Sequence, residues 1–275
     1  MPLSSEEKEF IRSAARYLEN PSFFVKLTNL VGKPLEKSVE LLPSRVKDTI
    51  QMASQKAIEG ALRTALTTLQ TKPLTQNFEE ALSSIFLSKN LHAAGTAMTG
   101  AVGGFFGLPA LLVELPLTTT VMLRSIAKIA SDFGEDVSRP ETQLECLYVF
   151  SLGGPSKVDN EMDSAYFTSR LAFAELVKKA VSFVAGKSSR EILLAVERKS
   201  APILLDIIVK VASRFQIVVS EKAMGQLLPG IGAGAGALLN VAFTEHFNAL
   251  AKYHFGLKRL ERDHGKDAVL KIFQS

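Results

Sequence analysis

Apolar positions along this chain recur at three- and four-residue steps, and runs of alternating β-branched residues are scarce, which predicts helices rather than strands. The clearest case runs from Ser44 to about Gln70. There Val46, Ile50, Ala53, Ala57, Ala61, Ala65 and Leu69 fall on one side of a helix, while Lys47, Asp48, Lys56, Glu59 and Arg63 fall mostly on the other. Small residues dominate the apolar stripe, so this helix is expected to pack closely through it.

Punctuation along the chain marks the other helices. Ser4 and Glu7 have the spacing of a capping box and open a helix that stops near Asn20-Pro21. A second apolar piece, FFVKLTNLV, ends at Gly32, and a shorter helix is predicted between Lys72-Pro73 and about Leu87. A helix from about Glu141 to Leu152 stops at Gly153-Gly154-Pro155. Another spans about Asp163 to Ala185, followed by a pair split by Pro202, which suits the first turn of its helix. The last long element runs from Pro229 towards His264 and breaks at Gly265, with a terminal helix beyond it. These elements predict a compact all-α domain over residues 1–275, with an N-terminal helical layer over 1–88 and a core over 89–275.

Two tracts carry no charge: Ala93–Val113, 21 residues, and Ala223–Thr244, 22 residues. At about 1.5 Å per residue either is long enough for a hydrocarbon layer of roughly 30 Å, so a bilayer-inserted reading stands beside a buried-core reading. Glycines interrupt both tracts. The spacings Gly100 to Gly104, Gly103 to Gly107, Gly230 to Gly234 and Gly232 to Gly236 put bare backbone on one helix side, which predicts that the tracts pack on each other.

Charge changes this picture modestly. Lys and Arg number 16 against 19 Asp and Glu through Ser169, and 16 against 9 from Arg170 onward, so the halves carry −3 and +7. A basic second half fits an anionic membrane surface, with Lys252, Lys258, Arg259 and Arg262 as the expected membrane-facing cations. An unpartnered solvated face is the simpler alternative. Nothing points to nucleic acid: there is no RNP-type aromatic motif, zinc-finger spacing or Trp. The lone Cys146 cannot form an internal disulfide, and the acidic start MPLSSEEKEF lacks signal-peptide character, so a cytoplasmic location is expected.

Candidate chemistry is sparse. PGIGAGAGA resembles a phosphate loop only in its glycines: it follows a helical segment, no Lys-Ser/Thr comes after it, and no complete GxGxxG is present. No GxSxG, HExxH or CxxC occurs, and no cofactor is expected. His246 and His254, eight residues apart on one helix, share a broad face, and with Glu114 they offer two imidazoles and a carboxylate for a weak metal or hydrolytic site. The alternative makes them boundary histidines bonded to backbone or carboxylates. Glu114 precedes Pro116, which suits a helix start, so the carboxylate is expected to favour that helix's positive end. Arg124 on the new helix is expected to pair with Glu221 or Glu245, and Arg214 with Glu221 to join the same polar cluster. Glu114, Arg124, Arg214, Glu221, Asn240, Glu245 and His246 together form the candidate binding set.

GGFFGLPALLVELPLTTTVMLRSIAKIASDFGED, ECLYVFSLGG, SRF at 213–215 and EKAMGQLLPGIGAGAGALLNVAFTEHFNALAKYHFGLKRLER resemble, in that order, the EcsC family. The resemblance runs from about Gly95 to the C-terminus. It implies a bacterial protein, cytoplasmic or associated with the inner face of the cell membrane, and a link to an ABC transport system. Some relatives carry a peptidase label, which no motif here supports. An interaction protein that meets lipid or a membrane protein is therefore expected. A hydrolase using Glu114, His246 and His254 and a carrier of a lipid or fatty acid in an apolar cavity are the alternatives.

Overall fold

The computed structural model describes residues 2–19, 23, 42–69, 78–82, 108–153, 165–227 and 233–275. Its α-helices are α1 (Ser5–Glu19), α2 (Ser44–Thr68), α3 (Leu108–Asp132), α4 (Pro140–Tyr148), α5 (Ala165–Val184), α6 (Ser189–Glu197), α7 (Pro202–Leu227), α8 (Ala233–His264) and α9 (Lys266–Phe273). A 3-10 turn, Val149–Ser151, extends α4, and the described residues contain no strand. The fold is all-α, as the periodicity predicts.

Local signals set the helix ends. Ser4 Oγ accepts from Glu7 N at 3.1 Å while Ser4 N donates to Glu7 Oε2 at 2.7 Å, the reciprocal box that opens α1. Ser188 and Glu191 repeat the device ahead of α6. Pro202 occupies the first position of α7, where its missing N–H costs nothing. Gly265, at φ 90°, separates α8 from α9 in a conformation that a side chain would strain.

The alanine stripe of α2 does what its composition allows. Val46, Ile50, Ala53, Ala57, Ala61 and Ala65 are buried, joined by Ile58 and Leu62, against α3 and α7. The long α8 packs on α3, α1 and α9, and one core runs from Phe10 to Phe273. Its aromatic centre is Phe150, Phe215, Phe243 and Phe247, with neighbouring ring centroids 5.2–5.9 Å apart. Cys146 is buried in this core, and burial pushes its thiol well above the ordinary range.

Pro116 corrects one expectation. It does not begin a helix but lies inside the continuous α3. An interior proline costs about 3 kcal/mol, whereas each fully buried aliphatic side chain contributes about 1.5–3 kcal/mol. Leu111, Leu115, Met122, Leu123, Ile126 and Ile129 on this one helix outweigh the lost hydrogen bond. Glu114 therefore sits within the helix, not at its positive end. The glycine spacings of the two uncharged tracts, the FFVKLTNLV piece apart from Phe23, and most of the predicted helix after Pro73 lie outside the described residues. Residues before PGIGAGAGA are helical, in α7, as expected. Among the described residues no helix is long and apolar enough to cross a membrane.

Gly256 of α8 lies against the Phe10 ring of α1. A Cβ there would stand 2.3 Å from Phe10 Cζ and 3.3 Å from Phe133 Cζ. Gly256→Ala gains about 1 kcal/mol of helix propensity, but Phe10 is wedged against Phe78, Phe133 and Tyr253 and overpacking costs about 1–3 kcal/mol. A net loss of about 1–2 kcal/mol is expected in chemical unfolding. Phe10→Leu added to Gly256→Ala should return part of it, and strict additivity would show that the two residues do not meet.

Candidate functional site

A pocket of about 630 Å³ lies between α5 and the corner where α8 meets α9. Helical spacing builds both walls. Phe167, Leu171, Ala174 and Val177 recur along one face of α5, and His254, Lys258, Glu261 and Arg262 along one face of α8. Leu171 is 66% exposed, an apolar side chain turned to the pocket rather than to the core. Tyr148 and Glu145 come from α4, with Tyr148 stacked on Phe173 at 4.5 Å, while Lys266, Asp267 and Leu270 come from α9. Glu135 arrives by a turn: Gly134, at φ 83°, ends α3 with Gly134 N bonded to Ser131 O and Glu135 N to Ala130 O. That left-handed step brings the Glu135 carboxylate onto α8.

The α8 wall is ionic and internally balanced. Arg170 of α5 forks onto Glu261, Nη1 to Oε1 at 2.7 Å and Nη2 to Oε2 at 2.5 Å. Lys258 donates to Glu145 and, at 3.2 Å, to Glu135, while Arg262 donates to Glu135 and to the Phe133 carbonyl. Four carboxylates, Glu135, Glu145, Glu261 and Asp267, thus face four cations, Arg170, Lys258, Arg262 and Lys266.

His254 lies in the pocket floor and is 1% exposed. Its Nδ1 meets the Tyr166 hydroxyl at 2.9 Å, and Nε2 has no hydrogen-bond partner among the described residues. Burial first, then the nearby Arg170 and Lys258 charges, holds its pKa well below the ordinary histidine value, so the ring is neutral.

The candidate residues named from sequence distribute differently. Glu114 Oε1 accepts from Lys222 Nζ at 2.8 Å, with side chains 5% and 0% exposed, so its partner is on α7 and is not Arg124. Arg124 is exposed, and no ion pair joins it to Glu221 or Glu245 among the described residues. Lys222 escaped the sequence reading. Its signal was a lone cation one step from Glu221 in an otherwise apolar run. Arg214 Nε donates to the Ser151 carbonyl at 3.4 Å beside a smaller pocket of about 200 Å³. Glu221 and Glu245 are half-buried, and Asn240 is buried.

His246 is fully buried, not a boundary residue. Its Nε2 lies 3.2 Å from the Gly153 carbonyl and its Nδ1 3.0 Å from Tyr17 OH. A carbonyl only accepts, so Nε2 carries the proton and Nδ1 accepts from the tyrosine, which clamps α1 to the end of the 3-10 turn. Glu114 and the two histidines therefore have separate partners, and no cluster of three His, Cys, Asp or Glu side chains occurs among the described residues. The cations expected to face a membrane each make a contact within the chain. Lys258 and Arg262 are engaged by pocket carboxylates, Arg259 Nε donates to Asp263 Oδ2 at 2.6 Å, and Lys252 Nζ lies over the Phe10 and Tyr253 rings at 5.8 and 5.4 Å. Glu135 and Glu145, from the acidic half, thus fold onto Lys258 and Arg262 of the basic half.

A family model described as the EcsC protein family matches residues 6–260, so the match begins in α1 and takes in the N-terminal helices as well as the motifs beyond Gly95. No curated protein and no solved structure matches the chain.

Proposed function

This chain belongs to the EcsC protein family, and we propose that it is a lipid-interacting protein that receives an amphiphile in the pocket between α5 and the α8–α9 corner. The observation that carries this reading is the division of the pocket: an apolar wall with Leu171 open to it stands against an ionic wall. Its volume of about 630 Å³ lies within the roughly 300–1,000 Å³ usual for small-molecule sites. An apolar tail covers Phe167, Leu171, Ala174 and Val177, and the polar head meets the charged side chains of α8. Val113 and Leu117, exposed and one turn apart on α3, support contact with a membrane surface from which such a ligand is drawn.

Displacement of a fluorescent fatty-acid analogue by unlabelled amphiphiles, with mass spectrometry of molecules extracted from the purified protein, tests this reading. Leu171→Asp should weaken binding by about 10- to 100-fold, because covering a leucine contributes about 1.5–3 kcal/mol. Its melting temperature should stay close to that of the unaltered chain, since Leu171 is already exposed. Unchanged affinity in a folded Leu171→Asp protein would remove the pocket from consideration.

A further inference from the structure

We infer that the smaller pocket, between α5, α7 and the 3-10 turn, binds a phosphate monoester group between Lys210 and Arg214. This site is separate from the amphiphile pocket and does not depend on that reading.

Helical geometry sets the two pockets apart. Ser169, Ala172 and Leu176 of α5 line the smaller one, whereas Leu171 and Ala174 line the larger. Ser169 and Leu171 are two residues apart, as are Ala172 and Ala174, and a two-residue step turns a helical side chain by about 200°. The pockets therefore flank α5 on opposite sides, with the stacked Tyr148 and Phe173 common to both walls.

Charge separates them further. The larger pocket sets four carboxylates against four cations, while the smaller has Lys210 and Arg214 and, among the described residues, no carboxylate. Asp206, one turn before Lys210, is exposed and does not line it. Lys210 is exposed and makes no ion pair among the described residues, and Arg214 is anchored where its Nε donates to the Ser151 carbonyl at 3.4 Å. Residues four apart on a helix hold their Cβ atoms about 5–6 Å from one another, so both cations reach a single anion, which also relieves their mutual repulsion.

Hydroxyl chemistry and size narrow the ligand. Ser151 Oγ donates to the Tyr148 carbonyl at 2.7 Å and Ser169 Oγ to the Tyr166 carbonyl at 2.9 Å. Both serine protons are spent on backbone, so the pocket selects by charge and disfavours a neutral polyol. Its volume of about 200 Å³ falls below the roughly 300–1,000 Å³ of drug-sized sites, and a small anionic group fits it better than a whole amphiphile. A phosphate monoester carries about two negative charges at neutral pH, which two cations match. The group comes either from a soluble phosphate ester or from the head of a phosphatidate lipid.

Two assays on the full chain decide the matter and the source: calorimetric titration with glycerol 3-phosphate, and flotation with phosphatidylcholine vesicles that contain either phosphatidic acid, a monoester, or phosphatidylglycerol, a diester, at equal charge. Binding of glycerol 3-phosphate identifies a soluble ligand, and flotation with phosphatidic acid in preference to phosphatidylglycerol identifies the lipid head. Lys210→Gln and Arg214→Gln should each weaken that binding by about tenfold, the scale of one charge-assisted hydrogen bond. Because Lys210 is exposed, Lys210→Gln should keep the melting temperature of the unaltered chain and its affinity for the fluorescent fatty-acid analogue. Lys56→Gln, which removes an exposed lysine of α2 outside the pocket, should change nothing. The inference is overturned if glycerol 3-phosphate fails to bind and the two anionic vesicles float the protein equally or not at all. An equal loss in Lys56→Gln and Lys210→Gln overturns it too. Either result leaves the amphiphile reading, which the fatty-acid analogue tests, where it stood.

Discussion

Glu114→Leu is expected to destabilise the protein by about 3–5 kcal/mol, because it leaves the Lys222 ammonium buried without its counter-charge. Lys222 is wholly inaccessible, its pKa is lowered by burial, and Glu114 is the group that opposes that lowering. Removing the carboxylate moves the folded-state pKa further below the unfolded lysine value of about 10.4. Between those two values the unfolded chain binds more protons, so the variant's stability should rise with pH across that window, and more steeply than in the unaltered protein. Adding Lys222→Met should return most of the loss, since an apolar pair of similar volume is often neutral or stabilising where an ion pair was buried. Urea unfolding of both variants at several pH values makes the measurement. A single variant within about 1 kcal/mol of the parent would mean that the pair reaches water.

Arg170→Met should cost about 3 kcal/mol, less than a fully buried pair because the arginine retains some contact with solvent. The lost fork is an ionic link from α5 to α8, and Glu261 is left as a nearly buried carboxylate. Ligand binding should fall with stability, because the apolar wall is no longer held against the ionic one. Unfolding curves and probe displacement on the same preparation separate these effects. An Arg170→Met protein as stable as its parent would make the fork a surface contact.

Helix positions were legible because local chemistry decides them. The Ser4–Glu7 box, the alanine stripe of α2, Pro202 at the head of α7 and the break at Gly265 each act within a few residues. Pro116 misled because its local preference was outweighed by burial along a whole helix, a quantity that the flanking residues do not reveal. The site was far less legible. Glu114 and Lys222 are 108 positions apart, and His254 and Tyr166 are 88 apart, so neither pair leaves a spacing signal. Segment charge carries no pairing information either, since the +7 of the second half counts a lysine that carboxylates of the first half meet. The clue that was present is the matched spacing of 167, 171 and 174 on one helix and 254, 258 and 261 on another.

The uninterrupted course of α8 makes its length as consequential as its composition. His246 grips α1, and two turns on His254 reaches Tyr166, Lys258 meets Glu135 and Glu145, and Glu261 receives the arginine fork. One residue inserted between 246 and 254 would rotate everything beyond it by about 100° relative to the grip on α1, so the two sets of contacts could not both form. A gap in that interval, in any aligned homologue, would identify a chain that does not build this chamber.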